Sequence, residues 1–235
     1  MLLDEKYAYL VGVILFVPVW LIIAIKRRDL IAEMIAVGLA GGLTSFFLTP
    51  YLLKDYWTIE SALPVFGRYY FEDFLFGFIF CGISSVLLEV MNYKKHEFTH
   101  SMLLKPKVIS LLAISFSPLS FFILNLLFRA DSVISFLISI LIGLLFIVLI
   151  RKDLFKHALI SGLLLIQLCL LFYFFFRFLF PNIAAIWWNS AGAYEPEFLG
   201  VPLAEFAWFG LLGAFCSVVF KFIYDLKIVD CNCKK

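Results

Sequence analysis

Runs of about 20 apolar residues, long enough to cross the hydrocarbon layer of a bilayer as helices, recur seven times in this chain of 235 residues. They lie at 7–25, 30–50, 71–92, 107–128, 132–150, 154–180 and 200–224. A water-soluble fold has to cover its outside with charge, and only 15% of the residues are charged against 64% hydrophobic. A bilayer lifts that requirement. The sequence therefore predicts an all-α, polytopic membrane helix bundle of about seven transmembrane helices. Net charge is only +2, so no basic field points to nucleic acid. The 29 phenylalanines imply a lipid-facing or ligand-facing surface rich in rings.

Orientation follows from the basic residues. Of the 19 Lys and Arg, only Lys6, Lys54, Arg68, Arg129 and Arg177 fall on one side of the expected bundle; the others gather on the opposite side, as in Lys26-Arg27-Arg28 and Arg151-Lys152. The positive-inside rule puts that second side, with the C-terminus, in the cytoplasm and the N-terminus outside, in a multi-pass protein of the cytoplasmic (inner) membrane. Cys81, Cys169 and Cys216 lie in apolar runs, where thiols behave as small hydrophobes. Cys231 and Cys233 form a pair in the polar tail that supplies only two metal ligands.

A pattern recurs along the chain. Arg27-Arg28-Asp29-Leu30 follows the first run and Arg151-Lys152-Asp153-Leu154 the fifth, a register that aligns Gly38 with Gly162. Each next run goes out to a proline, Pro50 or Pro181, then to a loop with tryptophan: Trp57 in one, Trp187 and Trp188 in the other. Each loop leads into a helix that opens on carboxylate, at Glu72-Asp73 and at Glu205. We expect two parallel three-helix repeats, 1–105 and 131–235, with 106–130 as a linking transmembrane helix. Asp29 and Asp153 are expected to cap the helices that follow them.

Glu72, Asp73 and Glu205 are the candidate catalytic residues. Acids at a helix N-terminus satisfy free N–H groups and the helix dipole. Ionisable groups bordering hydrocarbon also mark functional sites, and a carboxyl kept neutral in an apolar pocket can act as an acid. The residues alone leave both readings open.

Phe71-Glu72-Asp73-Phe74-Leu75-Phe76 and Gly200-Val201-Pro202-Leu203-Ala204-Glu205-Phe206-Ala207-Trp208 resemble the signature of the membrane-embedded lycopene cyclase domain family. That family carries a tandem repeat whose units each hold a proline, a hydrophobic residue and two glutamates. Here Tyr70 stands at the first proline position, Asp73 at the second glutamate of the first copy and Ala204 at the first glutamate of the second. A register shifted by one residue would instead pair Glu72 with Glu205. The resemblance implies acid–base cyclisation of linear polyene ends such as those of lycopene, an isomerisation in carotenoid biosynthesis that needs no redox cofactor. It implies a carotenoid or other polyene lipid as partner, with membrane lipids around it. Glu72, Asp73 and Glu205 would be acid and base, and Trp57, Phe74, Phe76, Trp187, Trp188, Phe206 and Trp208 the aromatic surface that binds substrate and steadies a carbocation.

Two alternatives compete with a cyclase. The same bundle could bind or carry a polyene without chemistry. His96-Glu97-Phe98-Thr99-His100 has the spacing that sets two zinc ligands and a general base on one helix face, as in a membrane protease. It sits in a basic loop with no third ligand in view, so no metal is assigned. A retinal protein would need a lysine near the middle of the last run, and Lys221 lies at its cytoplasmic end.

Overall fold

The structure, a computed structural model, describes residues 4–92, 94–98, 107–188, 197–199 and 201–230. Among them six helices are long and apolar enough to cross a membrane. They are α1 (Ala8–Lys26), α2 (Ile31–Asp55), α3 (Phe71–Met91), α5 (Ser132–Ile150), α6 (Phe155–Leu179) and α8 (Leu203–Ile223). Between the third and fourth of these, α4 (Lys107–Phe122) runs on through a π-helical turn at Ile123–Leu127. A single turn, α7 (Ile183–Trp187), follows α6. The helices are held by apolar packing inside and face lipid with bare side chains such as Phe174, Phe175 and Phe178. The protein is a multi-pass membrane bundle.

Element order and length recur. The helices α1, α2 and α3 have 19, 25 and 21 residues, and so do α5, α6 and α8 in turn. A 3₁₀ turn joins the first two helices of each set, at Arg28–Leu30 and Lys152–Leu154. A short antiparallel hairpin precedes each third helix: β1 (Pro64–Phe66) with β2 (Tyr69–Tyr70), and β4 (Glu197–Phe198) with β5 (Val201–Pro202). Laying these elements end on end puts Asp73 on Glu205, Phe76 on Trp208 and Glu89 on Lys221. It also puts Glu33 on His157 and Thr49 on Tyr173. This is the unshifted register.

Two local expectations are corrected. Pro50 does not end its helix: α2 continues through it to Asp55, whereas α6 stops at Leu179, before Pro181. A membrane helix tolerates proline where neighbouring groups satisfy the freed carbonyl. Asp29 and Asp153 do not cap the following helices; each takes a two-pronged hydrogen-bonded pair from the arginine two residues before it, Arg27 or Arg151.

Close approach fixes the third helix of each set on the second. A Cβ added at Gly38 would lie 2.7 Å from the Phe78 carbonyl oxygen, and one at Gly162 would lie 2.6 Å from that of Gly210. These carbonyls occupy equivalent positions, so the same small-residue contact is made twice. At the end of the bundle that carries the basic turns, α3 and α8 run into strands β3 (Lys94–Phe98) and β6 (Leu226–Asp230), which pair with each other. His96 and Glu97 thus stand in a strand and not in the helix that the zinc reading needs. Thr99 and His100, like Cys231 and Cys233, lie outside the described residues.

Just inside that end is a buried polar cluster that the sequence did not single out. The Lys221 ammonium donates to Glu33 Oε1 at 2.7 Å and to the Ser85 carbonyl at 2.9 Å, and stands 2.8 Å from Glu89 Oε1. His157 Nε2 is 3.3 Å from the same Glu89 oxygen. The Glu33–Lys221 pair and the His157–Glu89 pair occupy equivalent positions in the two sets of helices, and Lys221–Glu89 joins them. His157 is buried here.

Candidate active site

At the opposite end, where the hairpins lie, the first turn of α8 holds Glu205, 1% exposed. Its Oε1 accepts from the Tyr56 hydroxyl at 2.6 Å, the Trp188 indole N–H at 3.1 Å and, at the long distance of 3.4 Å, the Trp57 indole N–H. Its Oε2 accepts from the Tyr173 hydroxyl at 2.9 Å. Four donors therefore surround one carboxyl that would otherwise be costly to bury. They come from both sets of helices. Tyr56 and Trp57 follow α2, Tyr173 is on α6 and Trp188 follows α7. The two tryptophan loops are tied by an antiparallel bridge between Trp57 and Trp188 and by Thr58 N–H donating to the Trp187 carbonyl at 2.8 Å.

Glu205 lines a small cavity of about 30 Å³, together with Tyr9, Trp57, Phe76, Trp187, Trp188 and Trp208 among others. Trp57, Phe76 and Trp208 also wall one end of a much larger apolar cavity of about 450 Å³. That cavity runs down a stripe of α8 from Trp208 through Leu212, Phe215, Cys216, Val219 and Phe220 to Ile223 and Tyr224. At the helical rise this is about 24 Å. α2, α3, α4 and α5 supply the other walls, including Leu48, Phe80, Phe121 and Phe136. The space is long and lined mostly by hydrocarbon, and the small cavity of Glu205 shares the wall at its end.

The predicted residues divide. Trp57, Phe76, Trp187, Trp188 and Trp208 line one or both cavities with Glu205. Asp73 is buried but lines neither cavity. Its Oδ1 accepts from the Tyr9 hydroxyl at 2.8 Å, and Tyr9 is on the wall of the small cavity. Asp73 Oδ2 is buried without a hydrogen bond of good geometry, though Thr49 lies close to the carboxyl. Glu72 faces the loop before β1: it accepts from the backbone N–H of Ala62 at 2.7 Å and of Leu63 at 3.1 Å, and from the Ser61 hydroxyl. Phe74 packs on Gly42 and stacks near Phe71 and Phe78, and Phe206 meets Phe198 edge-on, both away from the cavities. Tyr9, Tyr56 and Tyr173 lie in no motif that marked them from sequence. A signal was available for the last: Tyr173 carries the one hydroxyl in the run Phe172–Phe176.

The family model for lycopene cyclase matches residues 131–223. Over those residues the chain is similar to lycopene cyclases. The matched segment contains Glu205, Tyr173, Trp187, Trp188 and Trp208, which is the carboxyl with two of its donors and part of its aromatic wall. The preceding half completes the same site with Tyr9, Tyr56, Trp57 and Phe76. No curated protein and no solved structure matches the chain.

Proposed function

We propose that this protein, through its lycopene cyclase domain, closes a ring at the end of a linear polyene such as lycopene, with Glu205 as acid and then as base. The observation that carries this reading is the position of Glu205: one caged carboxyl, inside the family match, in a small cavity that shares Trp57, Phe76 and Trp208 with the end of a long hydrocarbon cavity. Oε1 already takes three donors whereas Oε2 takes one, so Oε2 has room for a proton. That proton adds to the terminal alkene and leaves a carbocation. The next double bond attacks it, forming the ring carbon–carbon bond and moving the positive charge into the ring. Loss of a ring proton to Glu205 restores an alkene and the acid. Atoms and oxidation state balance within the substrate, so the reaction is an isomerisation. The donors around Glu205 stabilise the carboxylate while the charge is separated. The rings of Trp57, Phe76 and Trp208 offer the cation π-faces that cannot take its proton.

Asp73 holds the equivalent place in the first half. It is coupled to the small cavity only through Tyr9, and we assign it a supporting role. We further infer that the basic turns face the cytoplasm and the hairpins the outside of the cytoplasmic membrane. A single duplicated three-helix unit accounts for the matched lengths.

Expression in cells that accumulate lycopene, followed by pigment chromatography, tests the proposal. The wild type is expected to yield cyclised carotenoid. Glu205→Gln is expected to lower conversion by about 100-fold or more, the scale of a lost general acid–base group, while the protein stays folded. An active Gln variant would overturn the role of Glu205. A wild type that retains polyene without converting it would point to binding alone.

A further inference from the structure

The large cavity is not sealed from the sides. Ala36, Ala40 and Thr44 form one stripe of α2, a turn apart; all three line the cavity, and all three are exposed on the outside of the bundle. Pro118 of α4 does both as well. A residue that belongs to an inner wall and to the outer surface at once marks a window. Its upper edge is closed: Tyr51 of α2 meets Phe121 and Phe122 of α4 edge-on, with ring centroids 5.7 and 6.0 Å apart, and Phe121 is buried. Among the described residues α4 packs mainly on α5. The α2 rim carries no side chain larger than threonine. The surface that flanks the window is hydrocarbon-facing, with Leu39 and Leu43 on α2 and Leu119 on α4 exposed.

We propose that this window between α2 and α4 is the port through which an extended hydrocarbon passes sideways from the lipid into the cavity. A long, water-insoluble chain is already dissolved in the membrane, and this route keeps it out of water throughout. The window opens along the flank of the cavity, and the aromatic contact at its upper edge lies toward the Trp57, Phe76 and Trp208 end. The chain therefore slides in below that contact and pushes its leading end up toward Glu205. The proposal rests on the polyene reading of the same cavity, and it makes Ala40 and Thr44 positions that decide access rather than chemistry.

Ala40→Trp tests it, with Thr44→Phe as a milder second variant and Leu43→Trp as a control. Leu43 is exposed on the same helix but off the cavity wall. Each variant is expressed in lycopene-accumulating cells and purified. Polyene retained per folded protein and cyclised product are then measured separately. Ala40→Trp and Thr44→Phe are expected to retain roughly tenfold less polyene or lower still, the scale that overfilling a fitted space produces, with Leu43→Trp close to wild type. If wild type and both blocking variants retain and convert equally, the port is elsewhere and the cyclase reading stands. If wild type retains polyene without converting it and the blocking variants retain none, the port stands and the cyclase reading falls. A wild type that retains no polyene overturns both.

Discussion

The two oxygens of Glu205 divide their donors unevenly, and that asymmetry makes separable predictions. Tyr173 donates to Oε2, so Tyr173→Phe removes the hydrogen bond beside the proposed proton position. Loss of a single well-placed donor at a developing charge costs about 10²–10³-fold in favourable cases. Tyr173→Phe is expected to slow conversion by roughly tenfold or more, whereas Trp57→Phe, losing only a 3.4 Å contact, should slow it far less. Equal losses would argue that the cage acts only by excluding water. Asp73→Asn keeps an oxygen for Tyr9 and should leave conversion within about tenfold of wild type, below the general acid–base range. A loss as deep as that of Glu205→Gln would make Asp73 a second acid–base group. Glu205 was legible in the sequence because a carboxylate opening an apolar run is conspicuous. Its cage was not, because Tyr56 and Glu205 are 149 residues apart and no local pattern brings them together.

Helices were legible for a different reason: length and hydropathy are local properties that a bilayer reads directly. Each expected span falls within a few residues of an observed helix, apart from the second, which ends at Asp55 rather than at Pro50. The paired strands β3 and β6 escaped because their hydrogen bonds are set by where α3 and α8 end, not by the residues within them. That same pairing is what turns the His96–Glu97 segment away from helical geometry. The alignment of Gly38 with Gly162 was legible, but not the helix that each packs against. Gly162 shows what that packing requires: an added methyl would sit 2.6 Å from a backbone carbonyl of α8, which cannot rotate aside. Gly162→Ala should therefore push α6 off α8 and destabilise the protein by about 1–3 kcal/mol. Thermal unfolding in detergent, followed by helical circular dichroism, would register the shift. An unchanged midpoint would mean that the two helices separate at little cost.

Taken as one molecule, the chain has a polar end, a polar cage at the other end, and hydrocarbon between them. Impermeant thiol labelling of single cysteines in a cysteine-free background checks the direction: residue 60 should react in intact cells and residue 95 should not. The reverse pattern would invert the bundle. What joins the two halves at the basic end is the cluster of Glu33, Glu89, His157 and Lys221. Lys221 is fully buried, within 2.7 Å of one carboxylate oxygen and 2.8 Å of another, each carboxylate contributed by the other half of the chain. Burial makes such a cluster expensive to assemble and still more expensive to break unevenly, because each remaining charge has lost its water and its partner. Lys221→Met keeps the side chain's bulk and removes only its charge and donors. It should cost about 3–5 kcal/mol, the range for removing one partner of a buried pair. Adding Glu33→Gln to it removes one of the two stranded carboxylates. The double variant should therefore be more stable than the sum of the single losses predicts, by about 0.5–3 kcal/mol. Additive losses in unfolding measurements would show that the lysine holds the halves together through packing alone, and that its charge is not part of the lock.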